Sequence, residues 1–557
     1  MQYKVFGHKL CKNLPIASFV YTVLIPALSY TLFFSRKAVA NPQISSSKFI
    51  AQTTLSPENI PRTMVLQKFE IIGNNVIAQE ELDLALKPYL FRPVSFIELL
   101  EVQQLITQLY IDRGYFTTGA FIPPQTVSNR TVKVEIIEGT IGEIKILGLK
   151  KLHPEYIRSR MAIASQAPLN QDKLLEALQV LQLNPLIKNI SAELSKGIKP
   201  GESFLKLEIE EADSSDLILN IDNDLTTSVG SLRGQVSIKN QNFSGWGDTF
   251  RVGYAQSKGS ESLERIEYTA PLGAKGTSVR VFHNRSDNKI VLEPFPILDL
   301  ESKSRGYGIN LIQDVINRPA QNLVIALGFT HYNTQFSLMD SGFSDLARGL
   351  DNEGKSIIST LRLIQEYSDR SKNHVFSLAS QFAIGIDAFG STINNNELPD
   401  SKYVLWRGQA RYIKAISSKT NLNLRGTVQL ANRPLFAQEQ FLAGGLKSVR
   451  GYSRDIIQAD NGFSFSAELN HTVLQIPKWN LRVEVSPFFD FGRIWNTDDF
   501  QIETNTLASV GIAAQFSLKD RLKARIGIGI PLIDAKLPEG NSWQDNGVHF
   551  SLNLKPF

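Results

Sequence analysis

The chain has 557 residues, a formal charge of +5 at pH 7 and one cysteine. The whole charge excess sits in the first 40 residues, at Lys4, Lys9, Lys12, Arg36 and Lys37; without them the 59 basic residues fall to 54, equal to the 54 acidic ones, and composition gives no support for nucleic-acid binding. Cys11 lies in the same segment, so the remainder has no disulfide, thiolate metal site or cysteine nucleophile.

Residues 1–40 have the pattern of a secretory leader. A basic start is followed by the uncharged run Leu14–Phe34 and by the small residues Ala38-Val39-Ala40, which places a mature start at Asn41. An uncleaved anchor is the competing reading, because the apolar run nearly spans a bilayer and Arg36 and Lys37 separate it from the cleavage site. Residues 41–63 read as a short Ser-, Gln- and Pro-containing linker without an apolar face.

Residues 64–140 and 141–212 read as two copies of a small α/β unit. In the first, the strand Val65–Ile72 and a turn at Gly73-Asn74-Asn75 lead to a short helix through Glu80-Glu81-Leu82. Ser95 with Glu98 forms a capping box at the start of a longer helix. Leu99, Val102, Ile106 and Leu109 recur along it at helical spacing, and Gly114 stops it. Val132-Lys133-Val134-Glu135-Ile136 alternates as a one-sided strand. The second copy has a strand at Ile144–Ile146 and a helix at Gln171–Gln182 with Leu174, Leu175, Leu178 and Leu181 on one face. Two further strands lie around a Lys199-Pro200-Gly201 turn.

Residues 213–557 read as strands almost throughout. Phe250, Val252 and Tyr254 alternate with Arg251 and Gly253; Phe463, Phe465, Ala467 and Leu469 alternate with Ser464, Ser466 and Glu468. One face is aliphatic or aromatic and the other mixes glycine, serine and full charges, as lipid and a wet lumen require. All five tryptophans lie here. At roughly 9–11 residues per spanning strand, about sixteen antiparallel strands fit. Long loops are expected at 287–305, 339–355 and 391–401. The alternating last strand, Val548 to Leu554, runs to Phe557 as barrel-assembly signals do, although Pro556 interrupts its end.

Two phrases single themselves out. Gly444-Gly445 precedes Val449-Arg450-Gly451-Tyr452, and Phe488-Phe489-Asp490-Phe491-Gly492 follows on a later strand. Strand parity from Arg482 and Glu484 puts Asp490 in the lumen and Phe489 and Phe491 outside, unless Pro487 introduces a bulge. No GxxxxGK[ST] stretch is present, and the seven scattered histidines show no metal-ligand spacing. No catalytic constellation and no cofactor site emerge.

With these phrases, the paired units, Asn242–Asp248 and Tyr268-Thr269-Ala270-Pro271-Leu272, the chain resembles the POTRA-bearing BamA/TpsB superfamily. Within it, the similarity is to the TpsB branch of two-partner secretion, the ShlB/FhaC/HecB type. That resemblance implies two periplasmic POTRA domains followed by an outer-membrane β-barrel. It implies that the Val449–Tyr452 loop folds into the lumen, where Arg450 meets Asp490. It further implies an unfolded TpsA-type exoprotein, hemolysin- or adhesin-like, as partner, captured by strand addition to POTRA edges and moved without ATP. Outer-membrane lipid and the barrel assembly machinery would be the other partners. The alternative is a BamA-type barrel-insertion factor.

Overall fold

The structure is a computed structural model that describes residues 2–5, 63–394, 398–500, 502–535 and 542–556. The expected leader from residue 6 onward, its cleavage site and the linker through Arg62 lie outside the described residues. The chain divides into two compact units, with the break between Ala212 and Asp213.

The first unit contains the two small αβ folds in tandem. The first has strand β1 (Lys68–Ile72), helices α1 (Gln79–Leu86) and α2 (Phe96–Asp112), and strands β2 (Gly119–Phe121) and β3 (Thr131–Ile137). The second repeats the order with β4 (Thr140–Leu147), α3 (Pro154–Ala164), α4 (Gln171–Gln182), β5 (Ile187–Lys196) and β6 (Glu202–Glu211). In each, the first and last strands pair in parallel and the remaining strand pairs antiparallel with the last.

Helix α2 begins where the capping box puts it: Ser95 Oγ accepts from the Glu98 amide at 3.3 Å, and Glu98 Oε2 accepts from the Ser95 amide at 2.7 Å. Its buried face is Leu99, Val102, Ile106 and Tyr110; Tyr110, rather than Leu109, is fully enclosed, its hydroxyl donating to Asn74 Oδ1 at 2.6 Å. Helix α3 was not apparent from the sequence, because its apolar residues Tyr156, Ile157 and Met161 are interleaved with Arg158, Ser159 and Arg160.

The two folds share structure. Leu169 donates to the Gly139 carbonyl at 2.7 Å and Gln171 to that of Gly114 at 2.8 Å. Asn170 caps α4 through Oδ1 and donates from Nδ2 to the Arg113 carbonyl at 3.1 Å, so one side chain starts one helix and terminates another. Phe116 of the first fold packs on the second fold's core. Strand β5 lies second in its sheet, between β6 and the segment Gln2–Val5, which pairs antiparallel along it as the edge.

The second unit is a closed antiparallel barrel of sixteen long strands. They are β7 (Ser215–Asp222), β8 (Arg233–Asn240), β9 (Thr249–Gln256), β10 (Ser260–Pro271), β11 (Thr277–Lys289), β12 (Leu300–Asn317), β13 (Gln321–Leu338), β14 (Lys355–Arg370), β15 (His374–Ile386), β16 (Val404–Ala415) and β17 (Thr420–Ala431). After a loop hairpin of β18 (Phe441–Ala443) and β19 (Ile457–Ala459), they continue as β20 (Asn461–Ile476), β21 (Leu481–Trp495), β22 (Thr506–Leu518), β23 (Leu522–Pro531) and β24 (Val548–Leu554). A two-residue stub at Ser341–Gly342 pads the end of β13.

The outer face exposes Val236, Ile238, Tyr307, Ile309, Leu311, Phe382 and Ile528, an apolar band that water would not tolerate and lipid covers. The expected loop at 287–305 is shorter than the sequence implied: β11 and β12 pair out to Lys289↔Glu301, because Ser, Asn and Asp continue the ladder beyond the apolar band.

Candidate functional site

The site is built around the segment between β17 and β20, which turns back into the barrel. Its short hairpin, β18 with β19, pairs Phe441–Ala443 against Ile457–Ala459. Gly444 and Gly445 adopt φ of +112° and +86°, backbone that only glycine enters freely, and turn the tip. Ser448 Oγ accepts from the Gly444 amide at 2.8 Å and Gly445 donates to the Tyr452 carbonyl at 3.1 Å, closing the tip on itself.

Arg450 is 4 % exposed and Asp490 0 %. The guanidinium forks onto the carboxylate, Nε to Oδ2 at 2.7 Å and Nη2 to Oδ1 at 2.8 Å, and the Arg450 amide donates to Oδ2 at 3.0 Å. Its Nη1 pairs with Glu468 and its Nη2 donates to Ser466 Oγ at 3.2 Å. The guanidinium lies 3.5 Å from the centre of the Phe488 ring. The wall thus supplies two carboxylates, a hydroxyl and an aromatic face, all from β20 and β21.

Parity through β21 is unbroken, and Pro487 introduces no bulge: Pro487 pairs with Ile512 in register. Phe488, Asp490 and Gly492 face the lumen, while Phe489 and Phe491 face outward, Phe491 against Phe463 with ring centres 5.7 Å apart. Gly492 leaves room for Val449, whose Cγ2 lies 2.9 Å from where a Cβ would stand. Val449, Tyr452, Phe441, Ala443, Ile457, Ala459, Ile494 and Leu507 form one apolar cluster. The Tyr452 hydroxyl lies 2.8 Å from both the Ala508 and the Ile533 carbonyl oxygens, either of which can accept its one proton.

Beyond the residues legible in the sequence, the structure adds a second acid, Glu468, shared with Arg525 Nη2 at 2.7 Å. Alternation placed Glu468 in the lumen but gave no reason to join it to Arg450. A further tether reaches the barrel seam, where β7 meets β24 over a short register from Leu219↔Leu554 to Asp222↔Ser551. There the Gly451 amide donates to His549 Nε2 at 3.1 Å, the Arg454 amide to Gln544 Oε1 at 2.7 Å, and Lys447 pairs with Asp224 at 3.2 Å. At the other end of the barrel, Tyr268 donates to Asp248 Oδ2 at 2.9 Å, joining two phrases that the sequence left separate.

No helix among the described residues is long and apolar enough to cross a membrane. Among the same residues, no three His, Asp or Glu side chains converge as metal ligands would.

Comparison with known proteins places this geometry. The model of the haemolysin secretion/activation protein family ShlB/FhaC/HecB matches residues 201–517. The chain belongs to that family. An ShlB-type POTRA domain matches residues 64–139. The heme/hemopexin transporter protein HuxB of Haemophilus influenzae is 24% identical over 469 residues, covering 82% of this chain and 81% of HuxB. Among solved structures, CdiB from Escherichia coli superposes with a TM-score of 0.68 at 18% identity, covering 91% of this chain and 93% of CdiB. BamA from Haemophilus ducreyi lacking POTRA domains 1–3 gives a TM-score of 0.54 at 15% identity over 88% of this chain and all of that one. As a member of the ShlB/FhaC/HecB family, this chain is an outer-membrane β-barrel transporter whose POTRA region lies in the periplasm.

Proposed function

We propose that this ShlB/FhaC/HecB family member is the pore of a two-partner secretion system. It takes an unfolded TpsA-type exoprotein, hemolysin- or adhesin-like, from the periplasm to the cell surface without nucleotide hydrolysis. The observation that carries the reading is the lumen loop. A closed barrel filled by a loop held through forked ion pairs is a gated conduit, whereas a diffusion porin keeps its lumen open. Arg450 and Asp490 are the latch, with Glu468 and Phe488 completing the seat, and Val449, Gly451, Tyr452 and Gly492 fix its position. Gly444 and Gly445 supply the turn. Phe489 and Phe491 anchor the strand in lipid.

Substrate capture is assigned to POTRA edges. Strand β5 supports this: on its side away from β6 its backbone pairs with the extended segment Gln2–Val5, from Gln2↔Ser195 to Val5↔Ala192. Leader removal frees that edge for an incoming chain. Heme and hemopexin, named for HuxB, and the cargo of CdiB are examples of what such a pore serves; the cargo here is a large secreted protein. The barrel assembly machinery would insert the pore itself.

A comparative proteome of a deletion strain, covering supernatant and outer membrane, tests the reading. The expected result is loss of one or two large secreted proteins with other barrels unchanged. A broad fall in outer-membrane barrels, with no specific secreted protein missing, refutes it and moves the chain to the insertion-factor class that its likeness to BamA represents.

A further inference from the structure

The tip of the lumen loop is held by Arg450, but its foot is held elsewhere. Where the chain leaves β17, Leu435 and Phe436 seat on Ile358, Ala383, Tyr403 and Leu405, apolar side chains at a position where a wet barrel wall ordinarily carries polar ones. Next, the turn Ala437–Glu439 buries a carboxylate: Glu439 Oε1 accepts from Arg362 Nη2 on β14 at 2.5 Å. The backbone of the same residue is used as well. The Glu439 carbonyl accepts from Gln429 Nε2 on β17 at 2.9 Å and from Arg407 Nη2 on β16 at 3.4 Å.

Charge makes Glu439 hard to replace. Arg362 and Arg407 are both buried, and on each the Nη1 has no hydrogen-bond partner. Arg362 pairs directly with the Glu439 carboxylate, while Arg407 forks onto Gln429 Oε1 at 2.8 and 2.5 Å and meets Glu439 through its carbonyl, so Glu439 is the one carboxylate beside two buried guanidiniums among the ion pairs of the described residues. Removing the Glu439 charge leaves two buried cations together, which repel each other and are poorly solvated. The strands engaged here are β14, β16 and β17, whereas the tip engages β20 and β21, so the two anchors have no wall residue in common.

We propose that Glu439 is a second anchor of the lumen loop, a positioning residue that fixes the loop's foot to Arg362, Arg407 and Gln429 independently of the Arg450 latch. Releasing the tip alone then lets the loop swing on a fixed foot, and releasing both lets it leave the lumen.

The inference rests on the reading of this segment as a lumen gate, but not on any exoprotein. The full-length protein, purified from outer membranes, is compared in planar bilayers as wild type, Glu439→Gln, Arg450→Ala and the double variant. Heat-modifiable migration identifies folded barrels. Glu439→Gln is expected to raise open-state occupancy about tenfold, equivalent to losing about 1.4 kcal/mol of holding energy. The double variant is expected to exceed wild type by the product of the two single effects, and so to exceed each single variant. A folded Glu439→Gln barrel with wild-type conductance, or a double variant no different from Arg450→Ala, overturns the second anchor. If Arg450→Ala alone leaves conductance unchanged while Glu439→Gln raises it, the tip latch fails and the foot anchor stands. Arg362→Gln, which removes the charge from the strand side, must reproduce the Glu439→Gln behaviour. Failure of both variants to fold would also overturn the proposal, since it assigns positioning and not folding to this pair.

Discussion

Arg450→Ala is the perturbation whose size the structure sets most directly. The wild-type guanidinium neutralises Asp490 through two hydrogen bonds of 2.7 and 2.8 Å, shares Glu468 with Arg525, and covers Phe488. Truncation leaves Asp490 buried with only the residue-450 amide, at 3.0 Å in the wild type, as its donor from the loop. Breaking a buried pair from one side costs about 3–5 kcal/mol, mostly as the charge left behind. The cation–π contact adds about 1–2 kcal/mol at a desolvated site. Glu468 keeps Arg525, so no second carboxylate is stranded, and the lower end of the range applies. The two lower ends sum to about 4 kcal/mol, a factor of about 700 in the docked-to-undocked ratio of the loop. The barrel ladder does not pass through Arg450, so heat-modifiable migration should persist. Channel conductance and protease access to the 441–459 hairpin should rise, and secretion should fall by at least tenfold. Wild-type values for all three in a folded Arg450→Ala barrel would refute the latch.

The remaining predictions follow the same geometry. Exchanging the pair as Arg450→Asp with Asp490→Arg should restore secretion only weakly, because the new aspartate meets Glu468; adding Glu468→Gln should improve it, and no improvement in the triple variant would remove Glu468 from the site. Gly451→Ala should undock the tip, since φ is +94° and a Cβ would meet the Gly529 backbone at 2.9 Å, whereas Gly492→Ala meets only the movable Val449 side chain and should be milder; equal conductance in the two would contradict this ordering. In the periplasmic unit, the Ser95 amide and then Arg92 hold the Glu98 carboxyl down at about 2 from an ordinary 4.5. A depressed carboxyl stabilises the fold above its unfolded value, and that stability is lost as pH falls from about 4.5 through about 2. Glu98→Gln should therefore flatten acid unfolding of residues 63–212 in that window, measured by circular dichroism; an unchanged acid transition would mean that the capping box contributes nothing there. A cysteine at Ser195 on β5 should crosslink to the exoprotein during secretion, and capture only at the edges of the first αβ fold would move the docking strand.

What was legible in the sequence was what repeats. Period-two alternation puts Asp490 and Glu468 in the lumen, because the pleat allows no other outcome without a bulge, and Pro487 stays in register with Ile512. The capping box at Ser95 and Glu98 is local chemistry and needs nothing from the rest of the fold. The partners of Glu439 were not legible. Arg362, Arg407 and Gln429 lie on three strands, and each reads singly as an ordinary lumen residue; only the barrel's curvature and the path of the loop bring them to one residue, Arg362 to its carboxylate and the other two to its carbonyl. The same holds for Asn170 and Arg113, joined across two folds, and for Gly451 and Gly529, whose mutual need for glycine appears only when loop and wall touch. Helix α3 was hidden for a different reason: its apolar stripe is too narrow to show as a period.

The way the loop is held bears on how it can move. An apolar plug would release its surface to water all at once, and the cost of exposing the cluster of Val449, Tyr452 and Leu507 would scale with its whole area. An ionic latch differs, because another charged or hydrogen-bonding chain can replace its partners one at a time. Asp490, Glu468 and Ser466 are acceptors that an extended backbone or a basic side chain in transit can also satisfy. The wall charge left behind by an opened latch is then never fully uncompensated. Such exchange predicts that a translocating chain competes with Arg450 for the same acceptors. Arrested exoprotein in the pore should therefore expose the 441–459 hairpin to protease in the wild type as Arg450→Ala does in the empty pore. A hairpin that stays protected while the pore is occupied would show that the chain passes beside a closed latch, and the competition argument would fall.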